Sequence, residues 1–332
     1  MKAMQLRGPG ADFELVHREI PEPKEHEVLI KVEACGICHG DSLAKEGGFP
    51  GLSYPRVPGH EVVGTIEKTG SSVTAWKVGQ RVGVGWHGGH CCYCRACRKG
   101  EFGACANSLI TGLSMDGGYA EYMIGHAEAM VIIPDELASA QAAPLLCAGA
   151  TTLGALRHAG ARGGDLVAIQ GLGGLGHLAV QFAIKLGCKV VALSRGKDKE
   201  ALALELGAHA YIDTNAGDAA KQLQAMGGAR VILCTAPNGK AMGELLSGLT
   251  QTGKMVIVAV SRDPMIVPPP LLLTNRSIIG WVGADLEETI GFSMHAQVSP
   301  MIETFPLEQA AAAYESMMSA KVRFRAVLKM SA

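Results

Sequence analysis

An α/β fold is predicted for this chain, with a doubly wound parallel sheet in its second half and a smaller β-rich part before it. Three features predict it. GLGGLG at residues 171–176 sits between a short apolar run and a helical pattern. Strand-like apolar runs recur after residue 165 with helical stretches between them. Before residue 150 the texture differs, with short alternating segments broken by Gly and Pro.

Each element has its own warrant. DLVAIQ (165–170) is a compact apolar run, as a strand buried on both faces requires. HLAVQFAIKLG (177–187) repeats apolar residues at helical spacing and stops at Gly187. KVVALS (189–194) reads as the second strand, and AYID (210–213), RVILC (230–234), KMVIVAV (254–260) and SIIG (277–280) as four more. KEALALELGA (199–208) typifies the helices between them. Strands joined by crossover helices make a doubly wound sheet, whose ligand site lies at the carboxyl ends of the strands. HEVLIKVEA (26–34) and HEVVGTIEKTG (60–70) read as strands of a barrel-like unit.

Composition excludes several functions. Thirty Lys and Arg balance 31 Asp and Glu for a net charge of −1, with no basic block of the kind nucleic acid or an anionic membrane would select. The N-terminal MKAMQLRGPGADFELVH has charges and Gly/Pro where a signal peptide needs an apolar core, and no uncharged apolar run spans a bilayer. A cytoplasmic location is expected, where thiols stay reduced.

That bears on the cysteines, five of ten of which crowd into residues 91–105. Cys91, Cys94, Cys97 and Cys105 form C-x2-C-x2-C-x7-C, a spacing that lets one loop wrap four thiolates around a tetrahedral zinc. Such a site is closed and therefore structural. Gly100 and Gly103 suit tight turning, and Arg95, Arg98 and Lys99 offset the negative charge of the thiolates. Cys92 fits no equally good frame. A zinc-ribbon interaction module would explain this loop alone.

A second set of soft ligands is dispersed: Cys38 in CGICHGDS, His60 in PGHE and Cys147 in LLCAGATT. If they converge, two thiolates and an imidazole hold a zinc with one position left for water or substrate, the mark of a catalytic site. Asp41 would then accept the free ring N–H of His60, and Glu61 would lie near the metal and assist ligand exchange.

In the glycine turn, Gly171, Gly173 and Gly176 match G-x-G-x-x-G, with Gly174 and Leu175 between the last two. Absent side chains let a pyrophosphate approach the backbone and the helix N-terminus. A sheet that binds NAD usually has Asp or Glu at the end of its second strand; here Ser194 stands there, followed by Arg195 and then Lys199. Positive charge suits the 2′-phosphate of NADP(H) better than a bare ribose.

In combination, GHE at 59–61, the four-cysteine loop, LLCAGATT and GLGGLG resemble the zinc-dependent alcohol dehydrogenases of the medium-chain dehydrogenase/reductase superfamily, over the whole chain. Two Cys and one His are the catalytic zinc ligands that alcohol dehydrogenases use. The resemblance implies a GroES-like catalytic domain over residues 1–150, to which residues 286–332 return, and a Rossmann domain over 151–285, with the active site in the cleft between them. It implies zinc at Cys38, His60 and Cys147 with Asp41 and Glu61 behind, and a second zinc at Cys91, Cys94, Cys97 and Cys105. It further implies Thr151 beside the nicotinamide, His39 and Arg325 at the pyrophosphate, Trp86 in the substrate pocket, and a homodimer or homotetramer. The activity it implies is reversible hydride transfer between an alcohol and the corresponding aldehyde or ketone. With Trp86 and Trp281, the pocket is expected to favour small aliphatic or aromatic alcohols. A zinc-free quinone or enoyl reductase on the same scaffold would lack the ligand set.

One departure stands out. Family members commonly have Ser or Thr two residues after the first zinc cysteine, where the hydroxyl passes a proton outward; this chain has Gly40. A histidine often found further along that relay is replaced by Leu43. Ser42 and His39 are the candidates for a water-mediated replacement.

Overall fold

Leu166–Gln170 is buried at every position, as the central strand of a parallel sheet must be. The computed structural model describes residues 1–283 and 285–330. Two compact units emerge: Met1–Cys147 with Leu286–His295 and Ser299–Ala332, and Ala148–Asp285 with Ala296–Val298.

The second unit is a six-stranded sheet in the order Ala210–Asp213, Lys189–Ser194, Leu166–Gln170, Ala229–Cys234, Leu249–Ile257, Ser277–Gly280. All five neighbouring pairs are parallel. The chain moves outward from Leu166–Gln170 to one edge and then returns to its other side at Ala229–Cys234. That reversal is the topological switch point at which doubly wound sheets bind ligands. Leu166, Ala168, Val191, Leu193 and Ile232 pack with Leu223, Leu245 and Met255 in one buried cluster. The run expected as a strand through Val260 instead ends at Ile257, which pairs with Cys234 on one side and Gly280 on the other. Both partner strands finish at that level: the Val258 amide still donates to the Cys234 carbonyl at 3.1 Å, and the paired ladder stops there. Val260 is 81% exposed.

The first unit centres on Glu27–Gly36, a ten-residue strand with three partners. Its first half pairs with Tyr122–His126, its last residues pair with Arg325–Lys329, and Val62–Thr69 runs along nearly its whole length. Register shifts at Leu29/Ile30 and Val32/Ala34 interrupt that ladder and let one strand serve several neighbours. Val28, Ile30 and Val32 enter a core with Ile66, Tyr119, Met123 and Leu328, while Lys31 faces solvent. Pairing of Val327 with Gly36 brings the C-terminal strand to the level where the chain leaves for Cys38.

Candidate active site and metal centres

Past Gly36 the chain turns into the short 3-10 helix His39–Asp41, capped by Cys38. The Gly40 amide points at the Cys38 sulfur from 3.5 Å, and the Cys38 amide donates to Asp41 Oδ2 at 2.9 Å. The cysteine is thus fixed by its own loop. Asp41 is a hub: its Oδ1 also accepts from the Gly59 amide at 3.2 Å and meets His60 Nδ1 at 3.0 Å. Tyr119, wholly buried, donates its hydroxyl to Asp41 Oδ2 at 2.9 Å.

With Nδ1 held by Asp41, His60 presents Nε2 inward, buried and without a hydrogen-bond partner among the described residues. Cys38 and Cys147, distant in sequence, bring their sulfurs to 3.8 Å. The ligand atoms of Cys38, His60, Glu61 and Cys147 all lie within 4.8 Å of one another. Glu61 is fully buried; its Oε1 accepts from Arg325 at 2.5 Å, and its Oε2 is unpartnered. Gly36 makes room for that carboxylate, since a Cβ there would fall 1.9 Å from Oε2.

These residues fit a metal. Unpartnered buried polar atoms are costly, and here two of them converge with two thiols. Zinc–sulfur bonds of about 2.3 Å in a tetrahedron place sulfurs ~3.8 Å apart, the spacing of Cys38 and Cys147. A disulfide would require about 2.05 Å.

Burial and mutual contact shift these groups in both directions, with Cys147 pushed up as its partner Cys38 is pushed down. A hydrogen bond from Cys147, with help from His60, holds the Cys38 thiol well below its ordinary pKa despite burial. Burial disfavours a charged His60, but Asp41 and Cys38 outweigh it and raise its pKa. Burial lifts Glu61 to about 7 even with Arg325 beside it.

The four-cysteine loop passes the same test. Its sulfurs lie 3.5 Å (Cys94–Cys97), 3.6 Å (Cys91–Cys105), 3.9 Å (Cys94–Cys105) and 4.0 Å (Cys91–Cys97) apart. Those are edges of a tetrahedron of thiolates. Backbone amides of Cys91 and Asn107 point at Cys105 Sγ from 3.4 and 3.3 Å, offsetting its charge. Cys92 is exposed and stands outside the cluster.

In the second unit Gly171 adopts φ +94 after its strand, and the helix Gly176–Lys185 starts directly beyond the turn, with Leu175 at its N-cap. Gly176 packs so tightly that a Cβ there would fall 1.9 Å from the Gly171 carbonyl; at Gly173 a Cβ meets nothing within 4 Å. Ser194 ends the second strand, Arg195 is exposed, and Lys199 reaches back to donate to the Leu172 carbonyl at 2.8 Å. Thr151 lies half-buried on the helix Ala148–Ala159.

Comparison with known proteins decides the family. Residues 24–135 match the alcohol dehydrogenase GroES-like domain, and residues 174–297 the zinc-binding dehydrogenase domain. Alcohol dehydrogenase notN of Aspergillus sp. (strain MF297-2) is 46% identical over 311 residues, 93% of this chain and 91% of that protein. An alcohol dehydrogenase of Geobacillus stearothermophilus is 37% identical over 336 residues, 99% of both. The chain belongs to the zinc-dependent alcohol dehydrogenases of the medium-chain dehydrogenase/reductase superfamily.

Structures agree with that placement. A cinnamyl alcohol dehydrogenase from Sorghum bicolor superposes with TM-score 0.90 at 30% identity, covering 99% of this chain and 97% of that one. A Helicobacter pylori CAD complexed with NADP(H) gives 0.88 at 25%, covering 99% and 97%. This alcohol dehydrogenase is therefore an oxidoreductase that uses zinc and a nicotinamide cofactor, and the zinc-free reductase alternative is not favoured.

Several features of the dehydrogenase site escaped the sequence. Tyr119 carries no motif beyond its GGY context, yet it braces Asp41. Arg325, expected toward the pyrophosphate, is 3% exposed and bonded to Glu61. Trp86 stands edge-on to His60, ring centres 4.9 Å apart and planes at 87°. His39 is exposed, and Trp281 stacks on His158 at 4.3 Å in the second unit.

Proposed function

We propose that Cys38, His60 and Cys147 hold the catalytic zinc of an NADP(H)-preferring alcohol dehydrogenase, and that Cys91, Cys94, Cys97 and Cys105 hold a second, structural zinc. The observation that carries this is the 3.8 Å spacing of the Cys38 and Cys147 sulfurs beside the unpartnered Nε2 of His60. When bound, zinc supplies the Lewis acidity that makes an alcohol acidic or a carbonyl electrophilic, and the nicotinamide exchanges the hydride.

The chain's own residues do the remaining work. Asp41 fixes the His60 tautomer so that Nε2 faces inward. Glu61, held by Arg325, keeps a second carboxylate oxygen within reach of the ligand set and so eases ligand exchange. Trp86 lines the substrate pocket as an apolar wall, which favours small aliphatic or aromatic alcohols over polyols. Gly171, Gly173, Gly174, Leu175 and Gly176 cradle the pyrophosphate, with Thr151 as a further cofactor contact in the same unit. With Gly40 and Leu43 in place of the usual relay, proton exit falls to water near Ser42 or His39.

Ser194, Arg195 and Lys199 supply hydroxyl and positive charge where a 2′-phosphate would sit. The Helicobacter pylori protein complexed with NADP(H) supports that reading by likeness. No described helix is long and apolar enough to cross a membrane, and metal-bound thiolates need a reducing compartment, which supports a cytoplasmic location.

Ser277–Gly280 is an edge strand, and Val260, Ile266, Leu273 and Val282 in the same unit are all more than three-quarters exposed. An unpaired edge with exposed apolar residues supports assembly with a second copy into a homodimer or homotetramer.

Metal analysis combined with kinetics tests the proposal: about two zinc per chain, from one closed and one open site, and a higher kcat/KM for NADPH than for NADH. One zinc or none, or a preference for NADH, refutes the corresponding part.

A further inference from the structure

We propose that Tyr211 and Asp213 are positioning residues for cofactor choice: from the neighbouring strand they grip Gly196 at its amide and its carbonyl, and so hold the 194–199 loop ready for the 2′-phosphate of NADP(H). The register of the sheet makes this possible. Ser194 ends the second strand and pairs with Asp213, which ends Ala210–Asp213, so the two strands deliver their last residues at one level. Just beyond it the Gly196 amide donates to Asp213 Oδ1 at 2.7 Å. The Tyr211 hydroxyl donates to the Gly196 carbonyl at 2.6 Å. Both backbone groups of one loop residue are thus taken by side chains of a single adjacent strand.

Gly196 shows what is being held. Its φ is +71, in the left-handed region, while a Cβ there would meet nothing within 4 Å. Glycine is needed for the conformation and not for space. This turn lies between Arg195 and Lys199, and Lys199 Nζ donates to the Leu172 carbonyl at 2.8 Å, which joins the loop to the glycine turn.

An acidic side chain so near a phosphate site needs a reason, since its charge opposes the ligand. Here the carboxylate is engaged by the backbone: the same Oδ1 also accepts from the Asn215 amide at 2.9 Å. Without these contacts the left-handed turn would lose its anchors, and the cofactor would have to order the loop on binding. A preformed loop removes that cost chiefly for the ligand that uses the loop most, NADPH through its 2′-phosphate.

This rests on the proposed function in taking Ser194, Arg195 and Lys199 as the 2′-phosphate contacts. The test is fluorescence titration of the zinc-loaded full chain with NADPH and with NADH, using Tyr211→Phe, Asp213→Ala and Asp213→Asn. Tyr211→Phe should weaken NADPH binding about fivefold and Asp213→Ala about tenfold, the effects of losing one and two hydrogen bonds. NADH affinity should change by less than about twofold in each, since NADH lacks the phosphate that the loop receives. Asp213→Asn should restore NADPH binding, because the amide oxygen still accepts from both backbone N–H groups. In turnover the loss should fall on KM for NADPH, with kcat retained.

Hydrogen exchange adds a readout without cofactor. The 194–199 segment should exchange faster in Asp213→Ala than in the unsubstituted chain. Equal weakening of both cofactors reports a general loss of structure and overturns the inference. Unchanged NADPH binding in Tyr211→Phe or Asp213→Ala overturns it too, as does tighter NADPH binding in Asp213→Ala, which would make the carboxylate a repelling charge instead of an anchor. Should Tyr211→Phe fail to fold, the contrast between Asp213→Ala and Asp213→Asn decides alone. An unsubstituted chain that binds NADH more tightly than NADPH refutes the cofactor reading of the proposed function instead.

Discussion

Asp41 Oδ1 sits 3.0 Å from His60 Nδ1, and both side chains are sealed from solvent. The carboxylate accepts, so the ring must donate from Nδ1, and Nε2 is the nitrogen that offers its lone pair toward Cys38 and Cys147 once its proton is displaced. A hydrogen bond thus sets which nitrogen is available to a metal. The charge on Asp41 also makes the imidazole a stronger ligand.

Asp41→Asn should weaken zinc at this site while leaving the four-cysteine loop loaded. The amide can keep some of the contacts to the Cys38 and Gly59 amides and to Tyr119, but not the charge. A loss of about 10- to 100-fold in affinity for one of the two zinc ions is expected, the usual cost of losing a ligand's supporting carboxylate. Competition with a chromogenic chelator measures it. Undiminished affinity would show that the carboxylate merely fills space.

The Glu61–Arg325 pair yields a stability prediction. Both groups are buried, at 0% and 3% side-chain exposure, and a lone charge there has no water to fall back on. Arg325→Leu should therefore cost about 3–5 kcal/mol in urea unfolding, the range for breaking a buried ion pair from one side. Adding Glu61→Gln should recover much of that loss, because the stranded charge is then gone. A single-variant cost under about 1 kcal/mol would mean that water reaches the carboxylate.

Acid should release the structural zinc. A hydrogen bond from Asn107 lowers the Cys91 thiol from an ordinary 9.0 to about 6. A group depressed in this way contributes stability above its unfolded value, and that contribution is lost as pH falls through the folded one. Protons compete with the metal for the Cys91 thiolate, so the loop should hold zinc well above pH 6 and be losing it as pH falls through about 6. Zinc release to a chelator across that range is the measurement, and release that does not change with pH would contradict it.

The fold and the ligand set were legible in the sequence for different reasons. Four cysteines within one short loop announce themselves by spacing. The strands of the sheet read clearly because burial on both faces leaves runs such as LVAIQ with no polar residue before the end. KMVIVAV read too long because nothing within it marks where Cys234 and Gly280 stop offering partners.

What stayed hidden was contact between side chains far apart in the chain. Tyr119 lies 78 residues from Asp41, and Arg325 lies 264 from Glu61. Neither partner has a periodicity or motif that encodes the meeting. Gly40 was visible as a departure from the family's hydroxyl, but its packing relation to Trp86 and His60 exists only in three dimensions.

The glycine turn permits a prediction that separates packing from ligand binding. Gly176 is required by the fold: a Cβ there would collide with the Gly171 carbonyl at 1.9 Å and crowd Thr235 Oγ1 at 3.1 Å. Gly173 faces no such neighbour, so its missing side chain serves whatever approaches the backbone from outside. Gly176→Ala should therefore destabilise the chain by more than about 1 kcal/mol whether or not cofactor is present, the cost of an overpacked site. Gly173→Ala should leave urea unfolding without cofactor unchanged and weaken NADPH binding by about tenfold or more, because the added methyl group stands where the pyrophosphate must reach the amides. Fluorescence titration with NADPH and urea melts of both variants measure the two effects. If Gly173→Ala bound NADPH normally, the cofactor would not lie over this turn, and the glycines of 171–176 would be there for helix–strand packing alone.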